Sequence, residues 1–215
     1  MTTGDIPTRF VHVVAAAVTR EDGRVLIAQR PAGKPLAGGW EFPGGKLEPG
    51  EGRTAGLARE LREELGITIR SPRPLMRVRH TYSHGDVLID LWVVTRYDGE
   101  PRGLDGQALR WCSRDELEST EMLPADRPFV QALRLPERLG RGIAVPPGAV
   151  PCDGLEDALE AEAAGRGQFL LLRRELPRAE LERLCAAVCL PVYARGGEAE
   201  AAWAQGATGI HQIEC

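Results

Sequence analysis

Residues 45–67 read GKLEPGEGRTAGLARELREELGI, a glycine-rich turn running into a strongly patterned helix. The pattern predicts a helix over residues 53–65, ended by Gly66 at its C′ position. An α-helix turns about 100° per residue, so Glu60, Glu63 and Glu64, at i, i+3 and i+4, project their carboxylates from one face. Leu57, Leu61 and Leu65 fall on an adjoining stripe, about 60–140° round from Glu60. That stripe can dock on a sheet while the acids stay at its edge. Carboxylates this close repel, and without compensation their pKa values would rise. Hard divalent cations relieve the repulsion, and oxygen ligands suit Mg²⁺ or Mn²⁺. Arg59 stands beside Glu60 and four residues before Glu63, where it can orient or partly neutralise the acids. The Gly44–Gly45 pair permits the tight backbone path that brings a loop against the helix. Taken alone, Glu-Leu-Arg-Glu-Glu-Leu is equally an ordinary solvated acidic helix; the residues around it decide between the two.

Outward from this stretch, residues 10–18 are apolar and β-branched, as in a buried strand. Glu21-Asp22-Gly23 reads as a turn, with residues 25–29 returning as a strand. Residues 31–50 hold too many Gly and Pro residues to be regular throughout. Strands are expected over 67–80, 87–96 and 109–112, and short helical pieces over 114–117 and 127–133. The expected architecture is α/β, a mixed sheet sandwiched between helices. A break at Leu135-Pro136 puts a boundary at about residue 138. Beyond it, strands are expected over 142–145, 169–172, 191–194 and 208–212, and helices over 155–164, 178–188 and 198–205. That alternation implies a parallel α/β unit.

The chain has 215 residues, 43% hydrophobic and 27% charged, enough apolar material for a packed core. Its formal net charge of −4 argues against non-specific binding to a nucleic acid polymer but leaves room for a phosphorylated small substrate. The cysteines, Cys112, Cys152, Cys185, Cys189 and Cys215, form no CxxC pair, so neither a zinc site nor a disulfide framework is expected. Cys185 and Cys189, four apart on one side of an expected helix, read as small buried hydrophobes, and a reducing cytoplasm fits. The first residues lack a basic start followed by an apolar run, and no stretch reaches the ~18 apolar residues of a membrane span. A cytoplasmic protein without a membrane partner is expected.

The glycine-rich turn and helix match Gly-x5-Glu-x7-Arg-Glu-U-x-Glu-Glu-x-Gly-U, with U apolar, at Gly45, Glu51, Arg59, Glu60, Leu61, Glu63, Glu64, Gly66 and Ile67. This is the Nudix box, and residues 8–137 resemble a MutT-type Nudix domain. Arg30, the run Trp40-Glu41-Phe42-Pro43-Gly44-Gly45-Lys46, Leu91-Trp92, residues 103–107 and Leu123-Pro124-Ala125-Asp126-Arg127-Pro128 all have counterparts there. The resemblance implies an α/β/α sandwich around a mixed sheet. It implies Glu60, Glu63 and Glu64 as ligands of Mg²⁺ (or Mn²⁺), with the Gly44 carbonyl completing part of the shell. It also implies that Glu51 ties loop to helix, that Arg59 holds a glutamate, and that Arg30 and Lys46 face phosphate oxygens. The implied reaction is attack of water on a nucleoside triphosphate, releasing nucleoside monophosphate and pyrophosphate.

Departures from that family's pattern sharpen the substrate question. A further metal-reaching carboxylate is a glutamate in MutT-type enzymes; here Asp105 takes the position, one methylene shorter, and reads equally as a turn residue before glycine. Glu41 and Phe42 belong to the implied substrate loop, Phe42 as a base-stacking ring or as a core residue. Where the MutT pattern has asparagine, this chain has Asp126. An ionised Asp only accepts hydrogen bonds, which suits an exocyclic amine such as cytosine N4; reading 8-oxoguanine would require a protonated one. Asp126 also reads as a helix N-cap. Pro124-Ala125-Asp126 and Ala28-Gln29-Arg30-Pro31-Ala32 resemble the CTP pyrophosphohydrolase branch. The expected substrate is 8-oxo-dGTP, in nucleotide-pool sanitation, with CTP or 5-substituted dCTP as the alternative. A non-catalytic nucleotide sensor is the alternative of another class.

Residues 141–215 resemble the first half of a thiamine phosphate synthase barrel, through Phe169-Leu170-Leu171-Leu172-Arg173, Pro191-Val192-Tyr193-Ala194-Arg195 and Gly206-Ala207-Thr208-Gly209-Ile210-His211. A closed barrel needs eight strands and places its phosphate site after the seventh and eighth, so independent synthase activity is not expected. His211 reads as a core histidine or a ligand contact. A half barrel leaves strand edges to be covered, either by the first domain or by a second copy in a homodimer.

Overall fold

The computed structural model describes residues 10–83, 85–140 and 145–211. Strand β1 (Val11–Val18) is buried on both faces over its last five residues, which is why its sequence is continuously apolar rather than alternating. A turn leads into β2 (Val25–Gln29), then β3 (Trp40–Glu41) and β4 (Gly44–Lys46). Helix α1 (Arg53–Leu65) follows, ending at Gly66 with φ 71°. Next come β5 (Thr68–Arg70), the long hairpin β6 (Arg73–Tyr82) and β7 (Gly85–Val94), then β8 (Arg96–Asp98), β9 (Leu109–Cys112), α2 (Arg114–Ser119) and α3 (Arg127–Ala132). A capping box starts α2: Ser113 accepts from the Glu116 N–H at 3.2 Å, and Glu116 accepts from the Ser113 N–H at 2.6 Å.

The central sheet runs β4-β1-β7-β6, with β1 and β7 parallel and the other pairs antiparallel. A second sheet, β3-β2-β9, and the pair β5-β8 complete the N-terminal part. On one face Leu57, Leu61 and Leu65 of α1 are fully buried against Val14, Ala16, Val18, Trp92 and Val94. Burying each leucine is worth about 1.5–3 kcal/mol, far more than the helix propensity of the segment. On the other face Phe129, Val130 and Leu133 pack with Phe42, Leu75, Ile89 and Leu91. The expected α/β/α sandwich around a mixed sheet is what forms.

The C-terminal part is a five-stranded parallel sheet. Its elements are β10 (Arg138–Leu139), β11 (Ala149–Cys152), α4 (Leu155–Ala163), β12 (Phe169–Leu172), α5 (Arg178–Ala187), β13 (Val192–Arg195), α6 (Ala199–Ala204) and β14 (Gly209–His211). The order is β10-β14-β13-β12-β11. The strand expected at 142–145 lies largely outside the described residues, and the last expected strand position, Gln212, does as well. Two strands escaped the sequence reading. In β11, Pro151 argues against a strand and is tolerated because β11 is an edge strand. In β10, two residues carry no pattern, and the pairing with β14 makes them a strand. Arg138 and Leu139 therefore already belong to the C-terminal sheet.

Side chains alternate across this sheet with period two. Leu170, Leu172, Val192, Ala194 and Ile210 meet the small and apolar faces of α4, α5 and α6. Phe169, Leu171 and Tyr193 face the other way and join the core of Phe42, Leu75 and Phe129. This face of the parallel sheet is thus covered by the N-terminal part. The outer edge of β6 is sealed in the same contact: Thr208 Oγ1 donates to the Leu75 carbonyl at 2.5 Å, and the Arg77 N–H donates to the Cys189 carbonyl at 3.0 Å. Beneath α1, Asp90 is buried with Arg77 Nε at 2.6 Å, His12 Nε2 at 2.8 Å and Arg53 at 3.6 Å. Burial pushes Asp90 up, but His12, Arg77 and Arg53 outweigh it and hold the carboxyl below its ordinary value. The Arg77 guanidinium also donates to the Ala186 carbonyl at the end of α5. His211 is fully buried, its Nε2 lying 2.8 Å from the Leu172 carbonyl, which fits the core reading. Cys112, Cys152 and Cys185 are buried and Cys189 is partly buried. Among the described residues no helix is long and apolar enough to cross a membrane.

Candidate active site

A cavity of about 630 Å³ opens between β4, the acidic face of α1 and the loop leading into α3. Its walls include Val13, Ala15 and Ile89 from the central sheet, and its chemistry comes from Arg30, Lys34, Glu41, Gly44, Lys46, Glu60, Glu63, Glu64, Asp105 and Asp126. All the residues expected to form the site line it, apart from Glu51 and Arg59, which lie behind it.

Arg59 is the hub of the motif. It grips Glu51 with both ends of a fork, Nε to Oε1 at 2.9 Å and an NH2 contact to Oε2 at 2.8 Å. It also donates to Glu60 at 2.8 Å, to Glu63 at 3.2 Å and to the Lys46 carbonyl at 3.1 Å. The Arg59 hydrogen bonds, and then the Glu48 N–H, lower Glu51 to about 2. Glu51 and Arg59 therefore join loop to helix, in the way the resemblance implies.

Helix and loop approach so closely that side chains are excluded between them. A Cβ on Gly45 would come within 2.2 Å of Glu60 Oε2. Gly44 has φ 151°, and a Cβ there would lie 2.1 Å from the Val14 carbonyl oxygen. Glu64 Oε2 accepts from the Gly44 N–H at 3.2 Å. Burial, with Glu60 and Glu41 nearby, pushes Glu64 up to about 7 despite that hydrogen bond.

Asp105 reaches the cavity because its loop is clamped to the end of α1. The Leu104 N–H and the Gln107 side chain both donate to the Glu64 carbonyl, at 2.9 and 3.2 Å, and the Arg102 N–H donates to that of Leu65. Gln107 also accepts from the Asp105 N–H at 2.9 Å. Among the described residues, no group of three or more acidic, His or Cys side chains is drawn together as metal ligands. Instead Glu60 and Glu63 share Arg59, and Glu64 takes a backbone donor. The donor set still fits a hard divalent cation: carboxylates from α1 and Asp105 face one cavity, and one of them is held near 7 by like charge and burial that a cation would offset.

Asp126 does not cap α3. It makes no side-chain cap hydrogen bond and is only 5% exposed. Its Oδ1 accepts from the Phe42 N–H at 3.2 Å. Burial pushes it up to about 8, helped by Glu41 and opposed by the Phe42 N–H and Arg30. The Phe42 ring is a core residue, edge-on to Phe129 at 6.2 Å, with one flank toward the cavity. Glu41 is raised by burial, against the pull of Arg30, which donates to it at 2.5 Å. The cavity residue the sequence reading missed is Lys34, a single cation in a Gly/Pro-rich loop with no pattern around it.

Residues 14–132 match the NUDIX domain family. The chain is 40% identical to the CTP pyrophosphohydrolase of Escherichia coli (strain K12) over 124 residues, 58% of this chain and 91% of that protein. It is 41% identical to the putative 8-oxo-dGTP diphosphatase 2 of Mycobacterium tuberculosis (strain ATCC 25618 / H37Rv) over 122 residues, 56% of this chain and 86% of that protein. The solution structure of the E. coli ORF135 protein matches with a TM-score of 0.53 at 39% identity, covering 58% of this chain and 89% of that one.

Proposed function

We infer the reaction from one premise: this chain belongs to the Nudix family and is a catalytic hydrolase of nucleotide phosphoanhydride bonds. We propose that it is a Mg²⁺-dependent pyrophosphohydrolase that converts a nucleoside triphosphate to the monophosphate and pyrophosphate. The observation that supports this most is the convergence of Glu60, Glu63, Glu64 and Asp105 with Lys34 and Lys46 on one cavity of about 630 Å³. A nucleotide with its polyphosphate fits a space of that size.

Glu60, Glu63, Glu64 and Asp105, with the Gly44 carbonyl, would hold Mg²⁺ or Mn²⁺, which would supply positive charge to offset the polyphosphate and acidify water. The chain's own residues do the rest. Arg59 fixes Glu60 and Glu63 from behind, so their carboxylates need little reorganisation. Lys46 contributes positive charge beside the phosphates. The Gly44 N–H holds Glu64 against the loop, on the same cavity as Glu60 and Glu63.

We propose 8-oxo-dGTP as the first substrate, a reading with which Asp126 is compatible. A carboxyl raised to about 8 is protonated at neutral pH, and then offers one donor and one acceptor, as an asparagine amide does. That pair complements O6 and N7–H of the oxidised purine, so the departure from asparagine is chemically small. The second reading, CTP or 5-substituted dCTP, is favoured by the 40% identity to a CTP pyrophosphohydrolase. The same neutral carboxyl complements N3 and N4 of cytosine. Pyrophosphate release with Mg²⁺ from 8-oxo-dGTP, dGTP, CTP, 5-methyl-dCTP and ADP-ribose separates the readings: the highest kcat/KM names the substrate, and turnover of ADP-ribose alone overturns both. For the C-terminal part we propose a covering role on β6 and α3, with no synthase activity of its own.

A further inference from the structure

The loop of residues 30–39, between β2 and β3, is closed on itself. The Arg30 N–H donates to the Gly39 carbonyl and the Gly38 N–H to the Arg30 carbonyl, each at 2.9 Å. The Gln29 side chain donates to the Gly38 carbonyl, also at 2.9 Å. Inside the loop, Arg30 Nε donates to the Pro35 carbonyl at 2.7 Å while its NH1 reaches Glu41 at 2.5 Å. The next residue, Leu36, is held at φ 62°, a conformation a leucine rarely adopts and one the surrounding bonds must enforce. The Arg30 guanidinium is thereby engaged on both sides by its own chain and is only about a quarter exposed, at 28%. It lines the cavity, but these bonds commit its donors to the loop and to Glu41.

Lys34 sits in that loop, one residue before the pinned Pro35. It is exposed, lines the main cavity, and also lines a smaller recess with Gly44, Glu64 and Asp105. Its charge favours the ionised forms of both Glu41 and Glu64, which places it between the loop and the acidic face of α1. Among the described residues no carboxylate forms an ion pair with it. A long, flexible stem and a compact ammonium suit a group that follows a phosphate through a reaction.

We propose that Lys34 engages the outer phosphates of the bound triphosphate, and that Arg30 is a positioning residue whose brace presents it. This rests on the triphosphate-hydrolase reading above and reassigns the phosphate contact expected of Arg30. Inorganic triphosphate with Mg²⁺, titrated calorimetrically onto the full chain, tests it without requiring turnover. K34M is expected to weaken binding about tenfold, the worth of one close charge contact at a partly hydrated surface, and K34R to restore most of it. The melting temperature of K34M should equal that of wild type, because the side chain is exposed. R30M should weaken binding as well, and the double variant should bind no worse than K34M, since Arg30 acts through Lys34. Wild-type affinity in K34M, or additive losses in the double variant, overturns the proposal. If triphosphate binding depends on Lys34 but no nucleotide is hydrolysed, the phosphate contact stands and the hydrolase reading falls. If nucleotides are hydrolysed and K34M loses neither affinity nor kcat/KM, the reverse holds.

Discussion

Gly45→Ala separates the chemistry of this site from its folding. Gly45 has an ordinary backbone conformation, so alanine brings no torsional strain. What it brings is a methyl carbon 2.2 Å from Glu60 Oε2 and 2.4 Å from Glu60 Cδ, where ordinary contacts begin at 3.4 Å. The backbone of β4 is fixed by its pairing with β1, so the carboxylate must yield, by about 1 Å. That movement breaks the 2.8 Å contact with Arg59, a partly exposed charge-assisted bond worth on the order of 1 kcal/mol in stability. In catalysis a displacement of about 1 Å at a positioned group costs on the order of 100-fold. G45A should therefore lose about two orders of magnitude in kcat for pyrophosphate release while melting within a few degrees of wild type. Gly44→Ala is the contrast. Its Cβ would meet the Val14 carbonyl oxygen at 2.1 Å with φ 151°, so backbone must move and the fold itself should suffer. A G45A enzyme within threefold of wild type would refute the view that the glycine serves to seat Glu60.

Glu63→Gln should abolish turnover with little change in melting temperature, because the side chain is 60% exposed and the substitution keeps its shape; an active E63Q enzyme counts against the acidic face as the catalytic one. Asp126 is raised to about 8, so the folded protein holds a proton that the unfolded chain releases. The stability it contributes is complete below the ordinary carboxylate value and is lost as pH rises through about 8. Wild type should lose melting temperature relative to D126N between about pH 5 and about pH 9, and kcat/KM for 8-oxo-dGTP should fall over the upper part of that range in wild type but not in D126N. Parallel melting curves for the two proteins would show that the carboxyl is ionised throughout. Tyr193→Ala should cost about 3–5 kcal/mol in urea unfolding, since the ring is fully buried edge-on to Phe169 at 5.4 Å and its hydroxyl donates to the Pro136 carbonyl at 2.5 Å. Residues 1–137 alone should self-associate, because removing the C-terminal part exposes the β6 edge and the apolar flank of α3; a monodisperse, fully active monomer by light scattering would remove any need for that covering.

Periodicity and identity were enough to read much of this molecule from its residues. Helix α1 follows from Leu57, Leu61 and Leu65 at helical spacing, and the shared face of Glu60, Glu63 and Glu64 follows from the same geometry. The strands β1 and β2 follow from apolar runs with β-branched residues. Glu51 and Arg59 were legible only through the box pattern, because they lie eight residues apart and meet through a folded loop. Lys34 was not legible, since a lysine in a loop acquires meaning only when Arg30 pins that loop over the cavity.

The sequence by itself determined the elements whose signal is local: the helix carrying the acids, the glycines that let it approach, and the alternation of strand and helix after residue 138. The tertiary structure decided what depends on distant neighbours. Asp126 is an acceptor in water and becomes a neutral donor and acceptor only because burial makes its charge costly, against the pull of the Phe42 N–H. Strand β10 exists because β14 offers it an edge, and one face of the C-terminal parallel sheet is covered because β6 and α3 present an apolar surface. Side-chain spacing is written along the chain, but dielectric environment and long-range contact are properties of the folded whole.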